Sequence, residues 1–130
     1  MNNRIITFIA TVVLIGGCAK EGLDGKATLI VKPAHHGDPI ASSAAYRDSV
    51  FIKFGVTDTP ADPTHDYDAL VVGNVGEDFI RVENPRKGSY SVYCTGWDTA
   101  FNERVLGGVI VEIKGKDKKS EIVVDVPVVE

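Results

Sequence analysis

The sequence has 130 residues, of which 14 are basic and 18 are acidic, and its formal net charge at pH 7 is -4. This length suits one domain with a single core. An acidic balance without basic clusters argues against nucleic acid or an anionic membrane surface as a partner. The lysines of residues 114–119 are interrupted by Gly115 and Asp117, so we expect a solvated hairpin turn there.

The N-terminal residues follow the order of a signal peptide. Arg4 supplies a positive n-region, residues 5–15 an apolar h-region, and Gly16 and Gly17 the small residues before a cleavage site. A helix over residues 5–17 would extend only about 20 Å, which is short of the roughly 30 Å hydrocarbon core of a bilayer. We therefore predict a signal-peptide helix in residues 1–17 that is cleaved, and no permanent membrane span.

The segment Leu14-Ile15-Gly16-Gly17-Cys18 resembles the lipobox of bacterial lipoproteins. The resemblance implies that Cys18 is lipidated and becomes the first residue of the mature chain, so that the membrane is a partner through the lipid anchor. A diacyl lipid supplies the two chains that stable anchoring needs. The alternative is an ordinary secretory signal in which Cys18 is incidental.

Cleavage after Gly17 would remove one charged residue, Arg4, and leave 113 residues whose net charge is -5 instead of -4. Ala19-Lys20-Glu21 lacks the Asp of the inner-membrane retention signal. The expected location is therefore the outer membrane, with the periplasmic or the surface face left open.

From Ala27 onward, apolar and polar residues alternate between turn residues. This period of two predicts an all-β domain in residues 27–130, a seven-stranded antiparallel β-sandwich, after a short tether in residues 18–26. Pro127 lacks an amide donor, which places the last strand at a sheet edge or at a bulge. Only residues 41–47 have the pattern of a helical turn. The predicted strands are residues 27–32, 49–56, 70–72, 78–82, 89–96, 108–114 and 121–128.

Two motifs go beyond the general pattern of a sandwich. Residues 74–79 (NVGEDF) and 85–92 (PRKGSYSV) resemble the D-x-x-G-x-F and L-x-x-G-x-Y-x-V motifs of transthyretin-like (prealbumin-like) and carboxypeptidase-regulatory-like domains. The resemblance covers residues 27–128 and is similar in particular to small Bacteroidetes lipoproteins of this fold. Asn74 and Pro85 stand where Asp and Leu are commoner. Because the motifs consist of turn glycines and core aromatics, they imply a fold and not a function.

No catalytic residue is assigned from the sequence. The enzymatic members of the wider superfamily, the hydroxyisourate hydrolases, end in a Tyr-Arg-Gly-Ser tetrapeptide, whereas this sequence ends Val128-Val129-Glu130. No Ser/His/Asp order, paired-carboxylate cleft or phosphate-binding glycine loop is recognisable. We therefore expect no enzymatic activity.

His35, His36 and His65 are the candidate metal ligands, since imidazole suits transition metals. Adjacent residues on a strand face opposite sides, so His35 and His36 can share an ion only if the strand has ended, which Pro33 and Gly37 favour. The alternative is a solvated turn in which one histidine packs against a neighbour. The acids of residues 57–69 also suit Ca²⁺, but their spacing matches no known calcium loop and favours a solvated loop.

The remaining candidates are a cysteine and two aromatic residues. Lipidation of Cys18 leaves Cys94 without an intramolecular partner, and its phase with Tyr90 predicts a buried, structural thiol. Trp97 and Phe101 lie in a segment predicted to be a loop after a central strand. Exposed there, they would bind a protein partner or a sugar; the alternative is that Trp97 caps the core.

Together these features predict a lipid-anchored, non-enzymatic cell-envelope protein that presents loops to a protein partner or is a component of an envelope assembly. The covalent lipid on Cys18 is its only expected cofactor. The alternative is a metal- or carbohydrate-binding accessory lipoprotein that uses the end of the domain bearing His35, His36 and His65.

Overall fold

The computed structural model describes residues 21–61 and 66–130. Cys18, His65 and the predicted signal-peptide helix lie outside these residues. In the described ranges, no helix has the length and apolar character that crossing a membrane requires.

The described chain is all-β, as predicted, and the positions of the seven predicted strands are matched by seven of its eight strands. The additional strand, β2, has only two residues and follows a tight turn after β1. A 3₁₀ turn spans Gly115–Asp117. The strands are β1 (Thr28–His35), β2 (Asp38–Pro39), β3 (Ser49–Phe54), β4 (Ala69–Val72), β5 (Ile80–Glu83), β6 (Gly88–Asp98), β7 (Glu103–Ile113) and β8 (Glu121–Val128).

The strands form two four-stranded sheets. In the first sheet, β1 pairs with β2, β5 and β8, and in the second the order is β4-β3-β6-β7. The β1–β8 pair is parallel, in register from Thr28↔Glu121 to His35↔Val128. The prediction of an antiparallel domain is therefore wrong for this pair. Period-two alternation is the same in parallel and antiparallel strands, so the pattern could not reveal the direction.

Both sheets contribute side chains to one apolar core, an arrangement consistent with a β-sandwich. Val124 and Val126 of β8 are buried on the face that their alternation predicts, and β8 pairs only with β1 in its sheet, as expected of the strand that contains Pro127. Cys94 of β6 is fully buried, as predicted. Burial raises the pKa of its thiol to about 12, so it stays protonated and unreactive at neutral pH.

Residues 41–47 are not a helical turn, contrary to the prediction. Their polar groups bind other loops of the same end of the domain: the Ser42 amide donates to the Glu77 carbonyl, the Gly76 amide donates to the Ser42 carbonyl, and the Arg47 guanidinium donates to the Gly73 carbonyl. These long-range bonds replace the internal bonds that a helix would make.

The two sheets approach each other along β7 and β8. A Cβ atom at Gly107 would overlap the carbonyl oxygen of Pro127, so only glycine allows this approach. Beside it, the amides and carbonyls of Leu106 and Val129 exchange two hydrogen bonds of 2.9 Å each. This bridge fixes the backbone that leads to Glu130.

Candidate functional site

His35 is the last residue of β1, and only 2% of its surface is exposed. Its Nδ1 atom lies 2.7 Å from Oδ2 of Asp98, and its Nε2 atom lies 3.0 Å from Oε2 of Glu130. The hydrogen bond to Asp98 is the main cause that raises the pKa of His35, against the opposing effect of burial. The imidazole therefore links the ends of β1, β6 and β8.

Asp98, at the end of β6, is held by the loop that follows it. Its Oδ1 atom accepts a hydrogen bond of 2.9 Å from the Ala100 amide. The hydrogen bond to His35 is the main reason that the pKa of Asp98 lies below its ordinary value. An ionised and oriented Asp98 accepts the proton on Nδ1 of His35, and the Glu130 carboxylate accepts a second proton from Nε2, so the two acids together favour the protonated imidazole.

His36 reaches the same place through a turn. His36 and Gly37 have φ angles of 51° and 86°, both in the left-handed region, as in the type I′ turns that join short hairpins. The turn places the His36 ring 4.0 Å from that of His35, measured between centroids. β1 continues through Pro33 to His35, whereas the predicted strand ends at residue 32. The two rings therefore meet because of the tight turn after His35, and not because the strand ends before it.

His35, His36 and Glu130 each offer one ligand atom, and these three atoms lie within 4.8 Å of one another. We call this group the histidine cluster. Nitrogen and oxygen ligands lie about 2 Å from zinc, so donors up to about 4 Å apart can share one ion. His36 and Glu130 are exposed, so rotation of their side chains can bring the ligand atoms from within 4.8 Å to the shorter separation that a shared ion requires.

The donor set of the histidine cluster fits a transition metal. Two imidazoles and a carboxylate suit zinc or copper and are too nitrogen-rich for calcium. Behind His35, Asp98 occupies the position of the carboxylate that commonly fixes the tautomer and raises the basicity of a metal-binding histidine. The cluster could therefore hold an ion with three protein ligands and leave the remaining positions open.

Glu130 and Asp98 were not predicted as site residues. They lie 95 and 63 residues from His35 in the sequence, and only the strand pairing brings them together. His65, the third predicted ligand, lies outside the described residues, so its part in a metal site stays a prediction.

Two acids of the long loop between β3 and β4, Asp66 and Asp68, contact β3. Oδ2 of Asp66 lies 2.8 Å from Nζ of Lys53, and Oδ2 of Asp68 accepts a hydrogen bond of 2.7 Å from the Phe54 amide. These contacts fasten the described part of the long loop to the end of β3, in keeping with the solvated loop that the sequence favours.

Phe101 lies in the loop between β6 and β7 and is 56% exposed. Its ring centroid is 5.6 Å from that of His35 and 5.3 Å from that of His36. We call His36, Phe101 and Glu130 together the distal surface. It joins one exposed aromatic ring to an imidazole and a carboxylate.

Trp97 does not lie in a loop, contrary to the prediction. The ladder between β6 and β7 continues to Asp98↔Glu103, so Trp97 pairs with Arg104 within the sheet. Its indole stacks on the Tyr46 ring, with the centroids 4.3 Å apart and the planes at 12°. Tyr46 covers one face of the indole, and Trp97 is half-buried, so its part in binding a partner or a sugar stays a prediction.

No protein-family model, curated protein or solved structure matches the chain.

Residues 21–25 lie at the opposite end of β1 from the histidine cluster. The Arg86 amide donates to the Gly22 carbonyl at 2.8 Å, and the Gly25 amide donates to the Asn84 carbonyl at 2.7 Å. The Tyr90 hydroxyl donates to the Arg86 carbonyl at 2.7 Å and also contacts the backbone of Gly22. The described part of the predicted tether is thus attached to the turn between β5 and β6.

The same end of the domain contains an open groove of about 460 Å³, which we call the basic groove. Five of its seven lining residues are cationic and none is acidic. The prediction of no basic cluster is therefore wrong, because the fold collects cations from three separate segments. The lining residues are Gly25, Lys26, Arg86, Lys87, Gly115, Lys118 and Lys119.

Proposed function

We propose that the chain is a lipid-anchored, non-enzymatic protein of the bacterial outer membrane, which presents its distal surface to a protein partner. One observation supports this most directly. Glu21, where the described chain begins, is three residues after the lipobox Cys18, and Gly22 is already hydrogen-bonded to the sheet. A lipid on Cys18 would therefore hold this end of the domain against the bilayer.

The distal surface would then face away from the membrane. The eight residues of β1 separate it from the anchored end, which corresponds to about 26 Å at about 3.3 Å per residue. The exposed Phe101 ring lies beside the imidazole of His36, on the same surface as the carboxylate of Glu130. Aromatic side chains are enriched at protein interfaces.

A transthyretin-like sandwich is the fold that we propose for the domain. Gly88 has a φ of 142°, and Tyr90 is buried with its hydroxyl bound to the backbone of the preceding turn. The glycine and the tyrosine of the motif thus have the turn and core positions that the resemblance implies, which supports this proposal.

Labelling with a palmitate analogue, followed by separation of the membrane fraction, tests the anchor. We expect the full chain and Cys94→Ala to be labelled and membrane-bound, and Cys18→Ala to lose both properties. Cys94→Ala is the matched control because it removes the other cysteine. Membrane retention of Cys18→Ala with full labelling would refute the anchor.

A second candidate function is metal binding at the distal end, and the Asp98-supported histidine cluster favours it. Asp98 holds one proton of His35 on Nδ1, so release of the proton that Nε2 shares with Glu130 would let Nε2 bind an ion together with His36 and Glu130. Three ligands on a half-exposed edge leave room for a fourth ligand from water or from a partner.

Calorimetry with zinc and copper on the detergent-solubilised protein tests this candidate. We expect His36→Ala and Glu130→Gln each to lower the affinity at least about tenfold. Asp125→Asn, an exposed substitution in β8, is the control for Glu130→Gln. His65→Ala separates the two donor sets, because it leaves the affinity unchanged if Glu130 is the third ligand. The absence of heat at micromolar metal would end the proposal.

A further inference from the structure

The basic groove concentrates positive charge on an acidic chain. The net charge of the sequence is -4, yet five cations meet in one groove. Among the residues that the structure describes, no carboxylate lies within 4.0 Å of the ammonium groups of Lys26, Lys87, Lys118 or Lys119; Arg86 is paired with Asp24. Four exposed ammonium groups without a paired carboxylate form a surface for an anionic partner.

The groove lies at the end of the domain that would carry the lipid. Gly25 and Lys26 form part of its lining, and residues 22–25 are fixed to the β5–β6 turn. Between Cys18 and Glu21 the chain can extend by at most about 10 Å. The lysines would therefore lie close to the headgroups, at a distance comparable with the Debye length of about 8 Å at physiological salt.

Acidic side chains lie at both ends of β1. The opposite end carries Asp38, Asp98 and Glu130 around His35. The groove end carries Glu21, Glu83 and Glu121, and also Asp24, which is paired with Arg86. None of these acids lines the groove, so its lysines are the groups there that an anionic surface would attract.

We propose that the basic groove binds anionic lipid headgroups of the membrane that holds the anchor, through contacts of its lysines with the phosphates. This inference depends on the proposed lipid anchor and adds to it a fixed orientation. The acyl chains keep the protein at the bilayer, and the groove holds the domain upright with the distal surface directed outward. An acyl anchor combined with a basic surface is a common two-part mode of membrane attachment.

Hydrogen exchange of the lipidated protein in nanodiscs tests the proposal, with phosphatidylcholine alone or mixed with phosphatidylglycerol. We expect amide exchange in residues 114–120 to slow by about fivefold or more in the anionic discs. Fivefold is about the increase in the binding constant that one lysine near an anionic surface provides. The effect should be lost in about 1 M salt, where the Debye length is about 3 Å. Addition of inorganic phosphate to neutral discs should not reproduce it.

A charge-reversed pair assigns the effect to the groove. Lys118→Glu with Lys119→Glu should abolish the slower exchange, whereas Lys32→Glu with Arg104→Glu, which changes the net charge equally at exposed positions outside the groove, should preserve it. Equal exchange in both lipids, or equal loss in both double variants, would overturn the proposal. Retention in the discs reports separately on the anchor: a protein that is retained but unprotected refutes only the groove, and a protein that is lost from the discs refutes both.

Discussion

Nδ1 of His35 lies 2.7 Å from Oδ2 of Asp98, although 63 residues separate the two in the sequence. The contact joins the end of β1 in one sheet to the end of β6 in the other. Nε2 of the same ring meets Glu130, which follows β8. One imidazole thus connects three strand ends, and changes at any of them should affect the other two.

Asp98→Asn should weaken metal binding without disrupting the ring position. The amide oxygen can still accept the Nδ1 proton, but the negative charge that increases the basicity of Nε2 is lost. We expect the affinity for zinc to fall by about 10-fold to 100-fold, measured by calorimetry. Asp125→Asn, in the exposed face of β8, should bind as the unmodified protein does. Equal affinities of the two variants would contradict a supporting role of Asp98.

Asp48 should make the stability depend on pH. Burial raises the pKa of its carboxyl to about 6, and its Oδ1 atom has no hydrogen-bond partner in the described part of the chain. Because the folded-state pKa lies above the unfolded value of 3.8, the contribution of Asp48 to the stability should fall as the pH rises from about 4 to about 6 and then remain constant. Two pKa units correspond to about 3 kcal/mol.

Asp48→Asn removes this ionisation. The side-chain amide of the variant is buried without a hydrogen-bond acceptor, which offsets part of the free energy gained by removing the buried charge. We therefore expect a net stabilisation of about 1 kcal/mol above pH 7 and none near pH 4. Thermal unfolding at a series of pH values measures it. The exposed control Asp125→Asn should follow the unmodified protein. Parallel curves for Asp48→Asn and the unmodified protein would show that Asp48 is not the titrating group.

Gly107→Ala should destabilise the domain by about 2 to 4 kcal/mol, because the added methyl group meets the backbone of Pro127 and must displace β8. Urea unfolding measures the change. Gly115→Ala is the matched control, since nothing lies within 4 Å of a Cβ atom there. Similar midpoints for the two variants would mean that β8 shifts without cost. A displaced β8 also moves Glu130, so Gly107→Ala should weaken any metal binding.

Tyr90→Phe should loosen residues 21–25, at the end of the domain opposite the histidine cluster. The variant loses the hydroxyl that donates to Arg86 and contacts Gly22. We expect a loss of about 1 kcal/mol in the free energy of unfolding, with faster amide exchange at Gly25 and Arg86. Tyr67→Phe, at a partly exposed ring, is the control. Unchanged exchange in Tyr90→Phe would show that the backbone bonds alone hold the segment.

Local patterns in the sequence predict those features that depend only on residues close together in the chain, such as which face of a strand is buried. The alternation along β8 identifies its buried face, and the phase of Cys94 identifies a buried thiol, because side chains on a strand alternate whatever lies beside it. The same rule could not predict the direction of the β1–β8 pairing. It also failed at Trp97, where pairing with Arg104 extends the strand past Gly96.

The candidate site depends on pairing between distant segments, which explains why half of it was missed. His35 and His36 are adjacent and could be recognised together. Glu130 joins them only through the register that sets His35 opposite Val128, and Asp98 only through the packing of the two sheets. The basic groove was missed for the same reason, since no short window of the sequence contains Lys26, Lys87 and Lys118.

The parallel pairing of β1 with β8 also determines when the domain can finish folding. A chain that emerges from the ribosome residue by residue holds one side of β1 without a neighbour until residues 121–128 are available. Contacts between segments so far apart in sequence form slowly. The first sheet therefore stays incomplete throughout most of synthesis. The proposed export would benefit from this delay, because a chain that has not yet folded is the one that can be threaded across a membrane.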